Sequence, residues 1–226
     1  MKSSNWRNFT AIYIAICLAD IIAIQYGEQY SYMELLCKPL IMISIIGFTY
    51  KYLKEKSFYR IILFAFVFSW LGDVFLLGQS NHELFFVAGL ASFLISHLLY
   101  AAYFYKSVNK KWNQIKRIFA LQIFLVLLVV LFYGFMYPGL GDLSIPVLFY
   151  VSAIGFMGIL AVNRYKLVNS LSFLFVLLGA FSFILSDSLI GFNKFVNPIP
   201  FAHTLIMLFY CLAQYLILKG FVLDED

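Results

Sequence analysis

Long apolar runs broken by short polar stretches set the pattern of this chain, and a window of about 19 residues separates them into eight spans. They cover residues 9–27, 33–50, 61–78, 84–105, 118–136, 144–162, 168–192 and 199–219. The runs are continuous: between Ile118 and Phe135 the only strongly polar side chain is Gln122. A barrel strand would alternate polar and apolar residues over roughly ten positions, which these runs do not do. Within hydrocarbon a helix satisfies its backbone internally. The pattern therefore predicts an all-α polytopic membrane protein, a bundle of eight transmembrane helices. Short connections make neighbouring helices antiparallel, and residues 1–226 read as a single transmembrane domain.

Composition strengthens this reading. Hydrophobic residues make up 63% of the chain, charged residues 12%, and the mean hydropathy is +0.90. A water-soluble domain of that composition would expose large apolar patches. The run near the N-terminus starts after basic residues, but Asp20 interrupts it and no small-residue cleavage motif follows. It reads as a retained first helix rather than a cleaved signal.

The placement of basic residues orients the chain. With the N-terminus cytoplasmic, Lys2, Arg7, Lys51, Lys54, Lys56, Arg60, Lys106, Lys110, Lys111, Lys116, Arg117, Arg164, Lys166 and Lys219 fall on the inside, and only Lys38 and Lys194 on the other side. This asymmetry predicts that both termini are cytoplasmic. The net charge of +5 is then matched to anionic lipid head groups. The basic residues form no stripe of the kind that binds nucleic acid, and none is expected as a partner. The bacterial cytoplasmic (inner) membrane is expected as the location in preference to the endoplasmic reticulum.

Polar residues inside apolar runs point to chemistry. An aspartate at the centre of a membrane helix costs roughly 2.5 to 3.5 kcal/mol on insertion scales, so Asp73 and Asp187 each call for a partner or a wet cavity. Under the topology above, Asp20, Glu34, Lys38, Asp73, Asp187 and His203 lie in the non-cytoplasmic half, with His97 nearer the midplane. The depth pattern predicts that six helices offer polar groups to one cavity. Both aspartates follow a small residue, in Gly72-Asp73 and Ser186-Asp187, a short match to a parallel internal repeat of four helices per half.

Each position also has a plainer reading. Asp73 has Ser69 one turn earlier as a possible partner, while Gly72 and Gly78 would leave room for a ligand or water beside it. Asp187 has Ser186, Ser188 and Lys194 nearby, and Gly179, Ser182 and Gly191 suit close helix packing. Glu34 and Lys38 are spaced for a helical ion pair; alternatively Lys38 receives a lipid phosphate. His97 and Tyr100 are one turn apart. His203 reads as interfacial, His82 as a solvated loop residue, and Asp224-Glu225-Asp226 as a solvated end. Cys17, Cys37 and Cys211 all fall within spans with no CxxC spacing, and read as small apolar packers. The histidines are scattered, so neither a metal nor any other cofactor is expected. Motifs of zinc proteases, serine hydrolases, P-loops and dinucleotide sites are absent.

Taken in order, Lys38-Pro39-Leu40, Phe68-Ser69-Trp70-Leu71-Gly72-Asp73, Gly89 to Phe93 with His97 to Tyr100, Gly179-Ala180 to Ser186-Asp187-Ser188, Asn193-Lys194-Phe195, and Tyr210 with Ala213-Gln214-Tyr215 resemble the YhhN family. The resemblance spans the second to fourth and sixth to eighth helices. It implies a lysoplasmalogenase, a membrane enzyme that hydrolyses the vinyl ether bond of a lysophospholipid to a fatty aldehyde and a glycerophospho-head group. It also implies that Asp73 and Asp187 are the catalytic residues.

That chemistry suits two carboxyls. Protonation of the vinyl β-carbon gives an oxocarbenium ion, water captures it, and the hemiacetal collapses to the aldehyde. One protonated acid and one anion are needed, the division that paired carboxyls supply in glycosidases. Which aspartate is the acid stays open at this level. The reading adds Lys38 as the head-group contact and His97, Tyr100 and Asn193 as polar groups at the substrate. A proton- or cation-coupled transporter, or a lipid-binding protein, is the alternative.

Overall fold

The computed structural model describes residues 3–27, 31–108 and 119–224. Lys2, Lys110, Lys111, Lys116 and Arg117 of the basic set, and Glu225 and Asp226 of the acidic tail, lie outside the described residues. The helices are α1 (Ser3–Tyr26), α2 (Ser31–Tyr52), α3 (Tyr59–Leu77), α4 (Glu83–Lys106), α5 (Phe119–Leu140), α6 (Ser144–Asn163), α7 (Ser170–Phe195) and α8 (Ala202–Leu223), with one 3-10 turn at Gly141–Leu143. No strand occurs among the described residues. The chain is an integral membrane protein: among the described residues seven helical segments are long and apolar enough to cross a bilayer.

Seven segments meet the eight predicted spans because α5, the 3-10 turn and α6 form one helical stretch of 45 residues, Phe119–Asn163. At about 1.5 Å per residue that stretch is roughly twice the thickness of a hydrocarbon core of about 30 Å. It does not run straight. Gly141 sits at φ +51°, in the left-handed region that favours glycine. Beyond it α6 folds back on α5: Gln122 near the start of α5 donates to Asn163 Oδ1 at the end of α6 over 2.5 Å, and Tyr133 donates to the Ser144 carbonyl at 3.1 Å. Of α5, only Leu125, Met136 and Leu140 are buried. Most of the rest of its apolar surface is exposed, with Val129 and Phe132 half-buried.

Two compact units can be distinguished, residues 1–96 and 97–226, the boundary falling inside α4 after Ser96. The half-and-half reading places it instead after the fourth helix.

In the first unit α1 and α2 are antiparallel, with Phe9 against Phe48 (ring centroids 4.3 Å apart) and Trp6 against Phe48 (5.4 Å). The inward stripe of α1 is Phe9, Tyr13, Cys17, Asp20 and Ala23, whereas Ile12, Ile14, Leu18 and Ile22 are exposed. Steps of three and four residues put such a stripe on one helix face. The α3–α4 contact is tied by Ser69 and Ser96, whose hydroxyls are 2.7 Å apart, and by Ser96 donating to the Ala65 carbonyl at 2.9 Å.

In the second unit α7 opens on Asn169, whose side chain accepts from the Leu171 and Ser172 amides at 2.9 and 3.3 Å, a capping arrangement that satisfies free N–H groups of the first turn. Glycine sets how close α7 and α8 come: a Cβ on Gly179 would lie 2.9 Å from the Ile217 amide nitrogen, and one on Gly220 2.5 Å from Val176 Cγ2. Small residues at such crossings let backbones approach, as in membrane helix packing generally.

The C-terminal end departs from the sequence reading. Asp224 is not a solvated end. Its carboxylate accepts from the Tyr103 hydroxyl at 2.7 Å and pairs with Arg164 at 3.2 Å. Arg164, expected simply among the inside charges, has a fully buried guanidinium. A buried cation needs an anion, and Asp224 supplies it.

Candidate active site

The polar centre of the second unit is built around Asp187 on α7. His97 Nε2, from α4, lies 2.9 Å from Asp187 Oδ2. Tyr150, from α6, donates its hydroxyl to the same oxygen at 2.5 Å, and His97 Nε2 is 3.1 Å from that hydroxyl. His97 is 0% exposed and the Asp187 side chain 7%. Nε2 thus faces both the Asp187 carboxyl and the Tyr150 hydroxyl. The other ring nitrogen, Nδ1, is buried and makes no hydrogen bond among the described residues.

Packing holds these groups in place. The imidazole stands edge-on to Phe183, ring centroids 4.6 Å apart. Ser186, beside Asp187 in sequence, donates to the Ile206 carbonyl of α8 at 3.0 Å and pins this turn of α7. One turn along α4, Tyr100 donates to Gln214 Oε1 at 2.6 Å, leaving the Gln214 amide nitrogen buried without a hydrogen-bond partner among the described residues.

Each expected site residue has a definite place. Asp187 and His97 come together. Tyr100 is fully buried and engages Gln214 rather than joining the carboxylate. Asn193 accepts from the Ile199 amide at 2.8 Å, fastening the turn between α7 and α8. In the first unit Asp73 is 2% exposed on the inward face of α3. Lys38 Nζ lies 3.7 Å from Glu34 Oε1, the helical pair expected from the spacing.

The space that Gly72 and Gly78 were expected to leave for a ligand or water is filled. A Cβ on Gly72 would come within 2.6 Å of the Phe93 ring, and one on Gly78 within 3.0 Å of Phe85. Both glycines accept an aromatic ring from α4, so they serve helix packing. His203 is exposed at the start of α8, and His82 is exposed in the α3–α4 connection, where its Nδ1 accepts from the Leu84 amide at 3.1 Å. The three cysteines are free thiols. Among the described residues no group of three His, Cys, Asp or Glu side chains could hold a metal ion.

Sequence reasoning missed Tyr150. One tyrosine among sixteen has no local pattern to mark it, and its partner is 37 residues away. Gln214 was visible as an amide within an apolar run, although its partner was not.

The model of the YhhN family matches residues 33–221. A Bos taurus protein named lysoplasmalogenase TMEM86A is 37% identical over 161 residues, 69% of this chain and 62% of its own length. Its Homo sapiens counterpart is 36% identical over 162 residues with the same coverage. A Homo sapiens protein named lysoplasmalogenase TMEM86B is 30% identical over 191 residues, 84% of this chain and 76% of its own. The match thus spans less than two thirds of the length of the two TMEM86A relatives. No solved structure matches the chain at a significant level.

Proposed function

The chain belongs to the YhhN family, and from that premise we propose that it is a membrane hydrolase cleaving the vinyl ether bond of a lysoplasmalogen to a fatty aldehyde and a glycerophospho-head group. The observation that carries the reading is the buried carboxylate of Asp187, gripped by Tyr150 and His97. Relatives named lysoplasmalogenase support the substrate class.

The arrangement around Asp187 favours a division of roles. With two donors on one oxygen, Asp187 is the anion. Asp73 is then the proton source: its carboxyl proton passes to the vinyl β-carbon, and the π electrons form the new C–H bond. The adjacent carbon becomes an oxocarbenium ion, which the Asp187 carboxylate stabilises. Water adds to that carbon and gives up a proton to a carboxylate. Collapse of the hemiacetal breaks the bond to the glycerol oxygen, which takes a proton and leaves as the alcohol. A proton donor is restored in the process, and no cofactor enters.

The test is aldehyde release by the purified protein from a lysoplasmalogen and from its saturated 1-alkyl ether analogue. Aldehyde from the vinyl ether alone is expected. Absence of aldehyde from both would overturn the reading, and uptake driven by a proton gradient through Asp73 and Asp187 would put a transporter in its place.

Tyr150→Phe isolates the grip on Asp187. It removes one hydrogen bond to a charged group, worth about 1.5–3 kcal/mol, and leaves the ring packing intact. Turnover should fall about ten- to hundredfold, with KM little changed because the substrate contacts stay. Wild-type turnover in a folded variant would remove Tyr150 from the mechanism.

For topology, eight crossings with both termini cytoplasmic is the arrangement we favour. The hairpin within Phe119–Asn163 and the distribution of Lys and Arg support it. A reporter at either end that faces outward would reject it.

A further inference from the structure

Asp20 is an ionisable group with no assigned task. It lies on the inward stripe of α1 between Cys17 and Ala23 and is 0% exposed. Neither carboxyl oxygen makes a hydrogen bond among the described residues. Leaving a carboxylate buried without donors is strongly unfavourable, so this position asks for a donor.

The register of the α1–α2 hairpin shows which groups share its level. Phe9 meets Phe48. Eleven residues on from Phe9 is Asp20, and an equal step back from Phe48 reaches Cys37, next to Lys38. Lys38 lies at the start of the inward stripe of α2, which continues through Ile41, Met42, Ile45 and Phe48. Its ammonium is 3.7 Å from Glu34 Oε1, beyond hydrogen-bonding distance. One end of this hairpin thus holds a cation without a close hydrogen bond to its acid and a buried carboxyl group that makes no hydrogen bond among the described residues.

We propose that Asp20 and Lys38 form a subsite for a zwitterionic head group, with Lys38 receiving the phosphate and Asp20 the primary ammonium of phosphoethanolamine. The proposal rests on the hydrolase reading above and names the head group it prefers. An ammonium brings three N–H donors to the empty carboxyl oxygens. A trimethylammonium brings none, and is bound elsewhere by aromatic cages. The subsite therefore selects ethanolamine over choline.

Hydrogen bonds to charged groups sit in the range that yields about ten- to hundredfold discrimination. The wild-type kcat/KM is accordingly expected to favour the ethanolamine lysoplasmalogen over the choline form by about tenfold or more. Asp20→Asn should reduce that ratio to near one by weakening the ethanolamine substrate. Lys38→Ala should raise KM for both substrates, since both carry the phosphate. A readout independent of turnover is protection against thermal unfolding by soluble glycerophosphoethanolamine, which should exceed that by glycerophosphocholine in wild type and not in Asp20→Asn.

Equal use of both head groups by the wild type, or a selectivity that Asp20→Asn leaves unchanged, would overturn the proposal. If Asp20→Asn does not fold, the protection measured on wild type decides: equal protection by the two compounds overturns it. Failure of the hydrolase reading looks different, as no aldehyde from either head group. Ethanolamine-selective protection would then still report the subsite.

Discussion

Asp187→Asn and Asp73→Asn are each expected to lower aldehyde release by about 10²- to 10⁴-fold, the range typical of lost general acid–base catalysis. At position 187 the test is clean in geometry. The Asn carbonyl oxygen can still accept from the Tyr150 hydroxyl and from His97 Nε2, now at 2.5 and 2.9 Å from the carboxylate. What disappears is the negative charge to which the proposed mechanism assigns stabilisation of the oxocarbenium ion. At position 73 the change removes the proton donor. In the proposed mechanism the two carboxyls act in one reaction, so the double variant should be little worse than the poorer single one, since residues working as a unit are not additive. Single-turnover rates in detergent, with folding checked by thermal unfolding, measure all three. Near-wild-type rates in folded single variants would remove the carboxyls from catalysis, whereas strictly multiplicative losses would argue that they do not act together.

How far the sequence reaches depends on the range of each interaction. Helices were legible because a bilayer demands long apolar runs: the predicted span 144–162 meets α6 at Ser144–Asn163, and 61–78 meets α3 at Tyr59–Leu77. Local pairs were legible too. Glu34 and Lys38 are four residues apart, so helix geometry alone brings them together. The partners of Asp187 were not, because His97 is 90 residues away and Tyr150 is 37. No periodicity encodes such contacts. At Asp187 the local candidate therefore misled: Ser186 turns to the Ile206 carbonyl. Gly72 was correctly singled out as small. Its purpose was misread because a glycine accommodates a ligand or a neighbouring ring equally well, and here Phe93 occupies the place.

Arg164 and Asp224 carry the largest expected effect on stability. The guanidinium is fully buried. It donates to Ser107 and, at 2.8 Å, to Ser172, pairs with Asp224 at 3.2 Å, and lies 5.2 Å from the Tyr103 ring centroid. Asp224 also accepts from Tyr103 at 2.7 Å and from Ser172 at 3.3 Å. The residue just beyond α8 is thereby fastened to α4, α6 and α7. Removing one member of a buried ion pair strands the other charge, which typically costs about 3–5 kcal/mol. Asp224→Ala should lower the unfolding temperature in detergent well beyond the effect of an exposed aspartate. Asp224→Asn keeps an acceptor for Tyr103 and should lie between the two. Replacing both charges, as Arg164→Met with Asp224→Ala, should recover much of the loss, because no uncompensated cation then remains. Since the pair is shielded from solvent, these differences should change little with added salt. An Asp224→Ala protein that unfolds with the wild type would show that the pair does not hold the C-terminal end.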